Sequence, residues 1–295
     1  MTIIDFTEGH VAQAMRLAQA EYDKERSLVP ALPAAQVPDL QSFAKSGLCV
    51  AAFEGGSMLG FLCAYGPFKN AFGTPVKGIW SPAHAHAAIG DKTRVYHRMY
   101  QAAAEKWVAA GALSHAIALY AHDDAAKQAW FTYGFGLRCI DAIKPIDANE
   151  VAGDFCEMEG CELKELHIAL NSHMKNAPCF MNRRYVKKKN TRLFAAKREG
   201  KAVAFLELRE SGENFACGAA DMMNICGAYT VPEMRGTGLS ADLLHYTKAV
   251  LAKEGYTRLG VDFESFNPTA LGFWLKHFTA YTNSVVRRID EKGNM

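Results

Sequence analysis

The residues best placed to do chemistry lie in one short loop and on the elements that follow it. After Pro232 the chain reads Glu233-Met234-Arg235-Gly236-Thr237-Gly238-Leu239-Ser240 and then turns helical. Gly236 and Gly238 carry no Cβ, so a ligand can approach the main chain there. The first N–H groups of a helix have no internal partner, and the helix dipole adds partial positive charge at that end. Strand, glycine loop and helix in that order form an anion site suited to a pyrophosphate, with Arg235 as a cation at its rim. A nucleotide P-loop would need Lys-Ser/Thr where Leu239-Ser240 stands, and a dinucleotide fingerprint needs three glycines. A turn that serves backbone geometry alone stays open at this point. Downstream, Asp262 and Glu264 share one face of a strand by alternation. They read either as proton-taking carboxylates or as a solvated face paired with Arg258 or a lysine.

Periodicity supplies the elements that would position these residues. Strands are expected over Met1–Phe6, Leu48–Glu54, Met58–Tyr65, Leu113–Ala121 and Leu137–Ile146, with helices over Val11–Ser27, Arg94–Ala110 and Ala125–Tyr133. The same order returns in the second half. A helix over Glu162–Lys175 precedes a hairpin of Arg192–Arg198 and Ala202–Arg209, then a strand over Asn224–Val231 and a helix over Ser240–Lys253. A strand over Arg258–Phe263, a helix over Thr269–His277 and a strand over Thr282–Ile289 complete it. Gly111 is followed by Asp123, Ala126 and Trp130 at the separations by which Gly255 is followed by Asn267, Ala270 and Trp274. Identical helix-stop glycines at matched spacing indicate a duplication. The acidic stretch Asp147–Gly160 reads as the connection.

Composition bounds the rest. With 49% hydrophobic and 22% charged residues, either half can bury a core. A formal net charge of +2 provides no field for nucleic acid. No apolar stretch reaches a membrane span, and the N-terminus lacks a signal-peptide pattern, so a cytoplasmic protein, monomeric or homodimeric, is expected. The eight cysteines are scattered. Cys156 and Cys161 lack a second pair at zinc spacing, and His84 with His86 lacks a nearby carboxylate or Cys, so no metal is expected.

The loop and the downstream helix resemble the GNAT superfamily, the Gcn5-related N-acetyltransferases. Arg235, Gly238 and Ser240 fall on that family's pyrophosphate loop, with Ser240 replacing its final Gly or Ala. Asn267-Pro268-Thr269-Ala270-Leu271-Gly272-Phe273-Trp274 matches its Asn-x-x-Ala-x-x-aromatic-aromatic helix. The resemblance implies an α/β (α+β mixed sheet) fold of two tandem domains, residues 1–148 and 149–295, each a mixed, mostly antiparallel sheet flanked by helices. It implies acetyl-CoA as co-substrate, held by Arg235 to Ser240 and by the main chain of Tyr229, Thr230 and Val231 beside a splayed strand pair. Asn267 and Trp274 would lie near the thioester end.

Acetyl transfer to an amine then needs a base, for which Asp262 and Glu264 are the candidates. Many relatives place a tyrosine acid where Trp274 stands; the indole cannot replace it, which leaves Tyr281 or Tyr229, or no acid at all. In the first half, Asp91-Lys92-Thr93-Arg94-Val95-Tyr96 occupies the loop position without glycines, and Ala118 stands where the second half has Asp262. The first half therefore resembles a degenerate GNAT domain. The expected function is N-acetylation of an amine; the alternative is a non-catalytic acyl-CoA-binding sensor or interaction protein.

Overall fold

The computed structural model describes residues 1–147, 152–158, 164–176 and 190–289. These form two compact units: residues 1–140 with the segment from 280 onward, and residues 141–279. Cys161, Cys179 and the expected 148/149 boundary lie outside the described residues.

Unit 1 runs β1 (Thr2–Asp5), α1 (Val11–Leu28), β2 (Val50–Glu54), β3 (Ser57–Leu62), β4 (Tyr65–Phe68), β5 (Lys77–Ser81) and β6 (His86–Ala88). It continues with α2 (Lys92–Ala109), β7 (Ala112–Tyr120), α3 (Asp124–Thr132) and the first half of β8 (Gly136–Pro145). Strands β1-β2-β3-β6 are neighbours in one sheet. β5 lies parallel to β7 from Lys77↔Ala112 to Ser81↔Ile117 and antiparallel to β4. The hairpin expected at Gly55-Gly56 forms because both glycines take positive φ, 57° and 80°, which a tight two-residue turn requires. Helix α2 is amphipathic and buries Val95, Tyr96, Met99, Tyr100, Ala103 and Trp107. Its Tyr96 and Tyr100 rings pack with Trp130 and Phe135 at centroid distances of 5.2–5.5 Å. Truncating a buried tryptophan of this kind costs about 3–5 kcal/mol.

Unit 2 contains β9 (Phe155–Met158), α4 (Lys164–Asn176), β10 (Arg192–Arg198), β11 (Lys201–Arg209) and β12 (Met222–Thr230). Then follow α5 (Leu239–Lys253), β13 (Arg258–Glu264) and α6 (Pro268–His277). Its strands are ordered β13-β12-β11-β10-β9. The central strand β11 is apolar along most of its length and is buried from Ala204 to Leu208, as a strand covered on both faces must be. Leu166 and Leu170 of α4 pack with Leu193, Phe205 and Tyr229 on one face. Helix α5 buries Leu239, Leu243, Leu244, Thr247 and Leu251 on the other, a stripe at helical spacing.

Two expectations need correction. Residues 147–160 are not wholly a connection: Phe155–Met158 pairs antiparallel with β10. The strand is short and at the sheet edge. Glu157 there receives a two-pronged bond from Arg192, at 2.7 and 2.9 Å, so its polarity hides its role. The last strand, β14 (Thr279–Arg288), belongs to unit 1 and not to the second repeat. It pairs antiparallel with β7 from Thr282↔Tyr120 to Arg288↔Ser114. The buried strand β7 has an edge whose main-chain groups need a partner, and β14 supplies it.

Candidate functional site

The glycine loop is built as an open helix start. After Val231 and a short 3-10 turn, Pro232–Met234, the chain takes positive φ at Gly236 (77°) and Gly238 (92°). These angles are strained for any other residue. A Cβ at either glycine would meet nothing within 4 Å, so the space in front of both is clear. Gly238 caps α5 with its carbonyl, which accepts from Ala241 (2.9 Å) and Asp242 (3.1 Å). Among the described residues, the N–H groups of Gly236, Thr237, Gly238, Leu239 and Ser240 donate to no backbone or side-chain acceptor. They form a cluster of donors at the positive end of the helix dipole.

Side chains hold this loop in place. Thr237 Oγ1 donates to the Met234 carbonyl at 2.8 Å. Arg235 Nε donates to the Thr230 carbonyl at 3.0 Å, and its guanidinium lies 5.5 Å over the Tyr229 ring. Thr230 Oγ1 and Ser240 Oγ are hydrogen-bonded at 2.8 Å and tie the end of β12 to the first turn of α5.

Beside the loop the sheet opens. β12 and β13 pair in parallel only from Met222↔Arg258 to Ile225↔Val261, although β12 continues to Thr230 and β13 to Glu264. A register shift at Glu207/Leu208 sets Cys226 as an extra residue between Leu208↔Ile225 and Glu207↔Gly227. Such a bulge bends and twists its strand, and the two strands part where it lies. Val231 N–H is already donated to the Val203 carbonyl at 3.0 Å. By alternation Tyr229 also faces β11, whereas Ala228 and Thr230 turn their main-chain groups toward the gap. Ala228 is thus a candidate contact that sequence reasoning missed; a small residue in an apolar strand carries no signal.

The ladder also sorts the carboxylates. Ile225 and Val261 are paired and share the α5 face, so Gly260, Asp262 and Glu264 lie on the α4 face. Phe205 packs against Leu166 and Leu170 of α4, which puts Glu207 on that face too. Glu207 is fully buried, with Oε1 accepting from Thr191 Oγ1 at 2.7 Å. Its sequence signal was available: a lone acid inside the apolar run Ala202–Leu208. The donor cluster at α5 and the acids therefore approach the gap from different sides of the sheet.

The remaining expected residues have structural uses. Asn267 caps α6, with Oδ1 accepting from Thr269 Oγ1 at 2.8 Å and Ala270 N–H at 3.4 Å. Trp274 is buried against Phe273 and Phe278. Tyr281 is on β14 in unit 1, 1% exposed, and its carbonyl accepts from Ala121 N–H at 3.0 Å. Among the described residues no three His, Cys, Asp or Glu side chains stand close enough to hold a metal ion. No described helix is long and apolar enough to cross a membrane.

The corresponding place in unit 1 is closed. Asp91 caps α2, its carboxylate accepting from Arg94 N–H at 3.1 Å. Lys92, half-buried at the first turn, is paired with Glu21 and with Asp123 (2.7 Å). β5 pairs with β7 only as far as Ser81↔Ile117, and β6, the next strand, pairs with β3 instead, but a side chain of β6 bridges across to β7. Leu62↔His86 in unit 1 is the ladder pair that matches Leu206↔Ala228 in unit 2, each six residues beyond its hairpin glycine. His86 Nε2 is 2.6 Å from the Ala118 carbonyl and Nδ1 is 3.0 Å from Tyr96 Oη. A carbonyl only accepts, so Nε2 carries the proton and Nδ1 accepts from Tyr96. Burial pushes the His86 pKa down to about 4, so the ring is neutral. Both nitrogens of His86 are occupied.

Residues 161–278 match the family model described as the acetyltransferase (GNAT) family. The whole chain is similar in fold to a GCN5-related N-acetyltransferase from Sphaerobacter thermophilus. That likeness covers 98% of this chain and 95% of that one, at 12% identity and a TM-score of 0.55. It is also similar to the GCN5-related glucosamine N-acetyltransferase region of a fungal multi-domain GH3 β-N-acetylglucosaminidase. Here 97% of this chain and 38% of that one are covered, at 13% identity and a TM-score of 0.50. At these identities the likeness concerns the fold, which is the mixed α/β arrangement expected. No curated protein matches the chain in sequence.

Proposed function

We propose that unit 2 transfers the acetyl group of acetyl-CoA to an amine. The observation that carries this reading is the strand gap beyond Ile225↔Val261 opening next to five undonated amides at the start of α5. A pyrophosphate would take the amides of Gly236 to Ser240, with Arg235 at its edge. The pantetheine amides would bond to Ala228 and Thr230 as an added strand does. The thioester would then reach the gap near Asp262, on the face away from the pyrophosphate.

An amine arriving from the α4 side attacks the thioester carbonyl carbon. A new C–N bond forms, the C–S bond breaks, and CoA leaves as the thiolate. Asp262 or Glu264 takes the ammonium proton that must be lost before attack, and the second N–H proton, shed as the amide forms, passes to solvent. Trp274 cannot return a proton to sulfur, and a thiolate leaves without one at neutral pH.

The test is binding and turnover on the full chain. Acetyl-CoA binds saturably in titration calorimetry, and an amine panel of polyamines, amino sugars and amino acids releases free thiol. Saturable binding with no turnover on any amine favours the sensor reading. No binding of acetyl-CoA overturns both.

A further inference from the structure

Unit 1 holds two buried thiols that the proposed acyl transfer does not use. The ladder of β2 and β3 ends at Val50↔Leu62, so the next residue on each strand, Cys49 and Cys63, falls opposite the other. Both are free thiols, 1% and 0% exposed. Their main-chain groups turn away from each other. The Cys49 carbonyl accepts from Phe6 N–H at 3.0 Å, and Cys63 N–H donates to the Ala85 carbonyl at 2.8 Å. A pair placed in this way is a non-hydrogen-bonded one, whose Cα atoms come to about 4.5 Å and whose side chains lie closest. A disulfide spans Cα separations of about 4.4–6.8 Å, so this position admits one with the strands where they are.

The two sulfurs are chemically unequal. Cys63 S–H donates to Cys49 Sγ, which also accepts from Ala64 N–H and has Ser46 Oγ 3.2 Å away. These donors, Cys63 foremost, draw the Cys49 thiol down to about 7 against the effect of its burial, and Lys106 adds positive charge. Burial, and then the bond to Cys49, pushes the Cys63 thiol well above its ordinary range. Cys49 is thus the nucleophile, as a thiolate, while Cys63 keeps its proton. Access comes from the loop before β2. Ser46 is exposed, so the Cys49 sulfur lies one hydrogen bond beneath the surface.

We propose that Cys49 and Cys63 form a redox couple that a small hydroperoxide closes to a disulfide. The Cys49 thiolate attacks the terminal peroxide oxygen. The O–O bond breaks, hydroxide or alkoxide leaves, and Cys49 becomes the sulfenic acid. The Cys63 sulfur then attacks the Cys49 sulfur. The S–S bond forms, the S–O bond breaks, and the hydroxyl leaves with the Cys63 proton as water. Two electrons pass from the two sulfurs to one hydroperoxide, and an external dithiol reverses the step by exchange.

Peptide mapping of the folded, reduced full chain after exposure to hydrogen peroxide tests it. The protein is then denatured, alkylated with iodoacetamide and cut with trypsin. Cleavage after Lys45 and Lys69 leaves both cysteines in one peptide, 46–69, with no lysine or arginine between them. That peptide is expected to be lighter by two hydrogens and unalkylated at both sulfurs, and dithiothreitol given before alkylation restores both sites. In Cys63→Ala the reaction stops at the sulfenic acid, which dimedone captures as the protein is unfolded. Its capture at Cys49 should exceed that at Cys63 in Cys49→Ala at least about tenfold, since the thiolate is the reactive form. A peptide 46–69 that stays alkylated at both sulfurs overturns the proposal. So does one whose cysteines gain oxygen without losing the two hydrogens, or one that closes only when peroxide is added to protein already unfolded in urea.

Discussion

Helices α2 and α5 begin at the same place in two related units, and they differ in what faces their first amides. At α2, Asp91 supplies the negative group itself and Lys92 is drawn inward to Glu21 and Asp123. At α5, two positive-φ glycines leave the same donors open. The strand gaps differ in the same sense. His86 spans one with bonds to Ala118 and Tyr96, whereas Ala228 leaves the other clear. One scaffold thus meets the first amides of its helix with its own carboxylate in unit 1 and leaves them open in unit 2. Under the proposed function, acetyl-CoA binding falls to unit 2.

Substitutions that make one unit like the other test this division. The largest effect is expected from Gly238→Asp, which places an Asp91-like carboxylate before α5. Acetyl-CoA affinity should fall at least about a hundredfold in calorimetry, because like charges set together cost several kcal/mol. Asp262→Ala, the unit 1 residue at that position, should lower kcat about 10²–10³-fold with little change in the KM for acetyl-CoA, as loss of a general base does. An unchanged kcat would move the role to Glu264 or Glu207.

In unit 1, His86→Ala leaves Tyr96 Oη and the Ala118 carbonyl unpaired beside a cavity. A loss of about 2–4 kcal/mol in urea unfolding is expected, read through Trp107 and Trp130 fluorescence. Acid should act on the same residues. Burial lowers the pKa of His84, His86 and His115 each to about 4, whereas an unfolded histidine titrates near 6.5. The unfolded state therefore binds protons first, and unit 1 loses stability as pH falls from about 6.5 toward 4. A urea midpoint that does not move over that range would contradict it. The smallest effect is expected from Thr230→Val, which removes the bond to Ser240. Its loss of about 1 kcal/mol should appear as a severalfold weaker hold on acetyl-CoA.

Much of this was legible in the residues. The helices with glycine stops and both hairpins stand where period and turn chemistry put them, because local rules decide them. Asp123 and Asn267, matched by spacing, turn out to be matching helix caps, each accepting from the amide three residues on. What escaped were features decided at long range. β4 and β5 were hidden by Gly66-Pro67 and by a short, irregular register. β14 follows the second repeat in sequence yet pairs with β7. His86 carries no local sign of its bond to Ala118, since that partner is on a strand more than thirty residues away. At the site, the loop and the acids were visible by type, but the gap between β12 and β13 depends on where a parallel ladder stops.

The position of β14 has a consequence for how the molecule comes to be. Unit 1 takes its final strand from chain that is made only after residues 141–279. On a ribosome, the first-translated unit therefore cannot complete its sheet before the second has emerged, and β7 waits with an open edge meanwhile. Shortening the chain before Thr279 should thus harm the unit already synthesised, leaving an aggregation-prone strand in the half that does not carry the glycine loop.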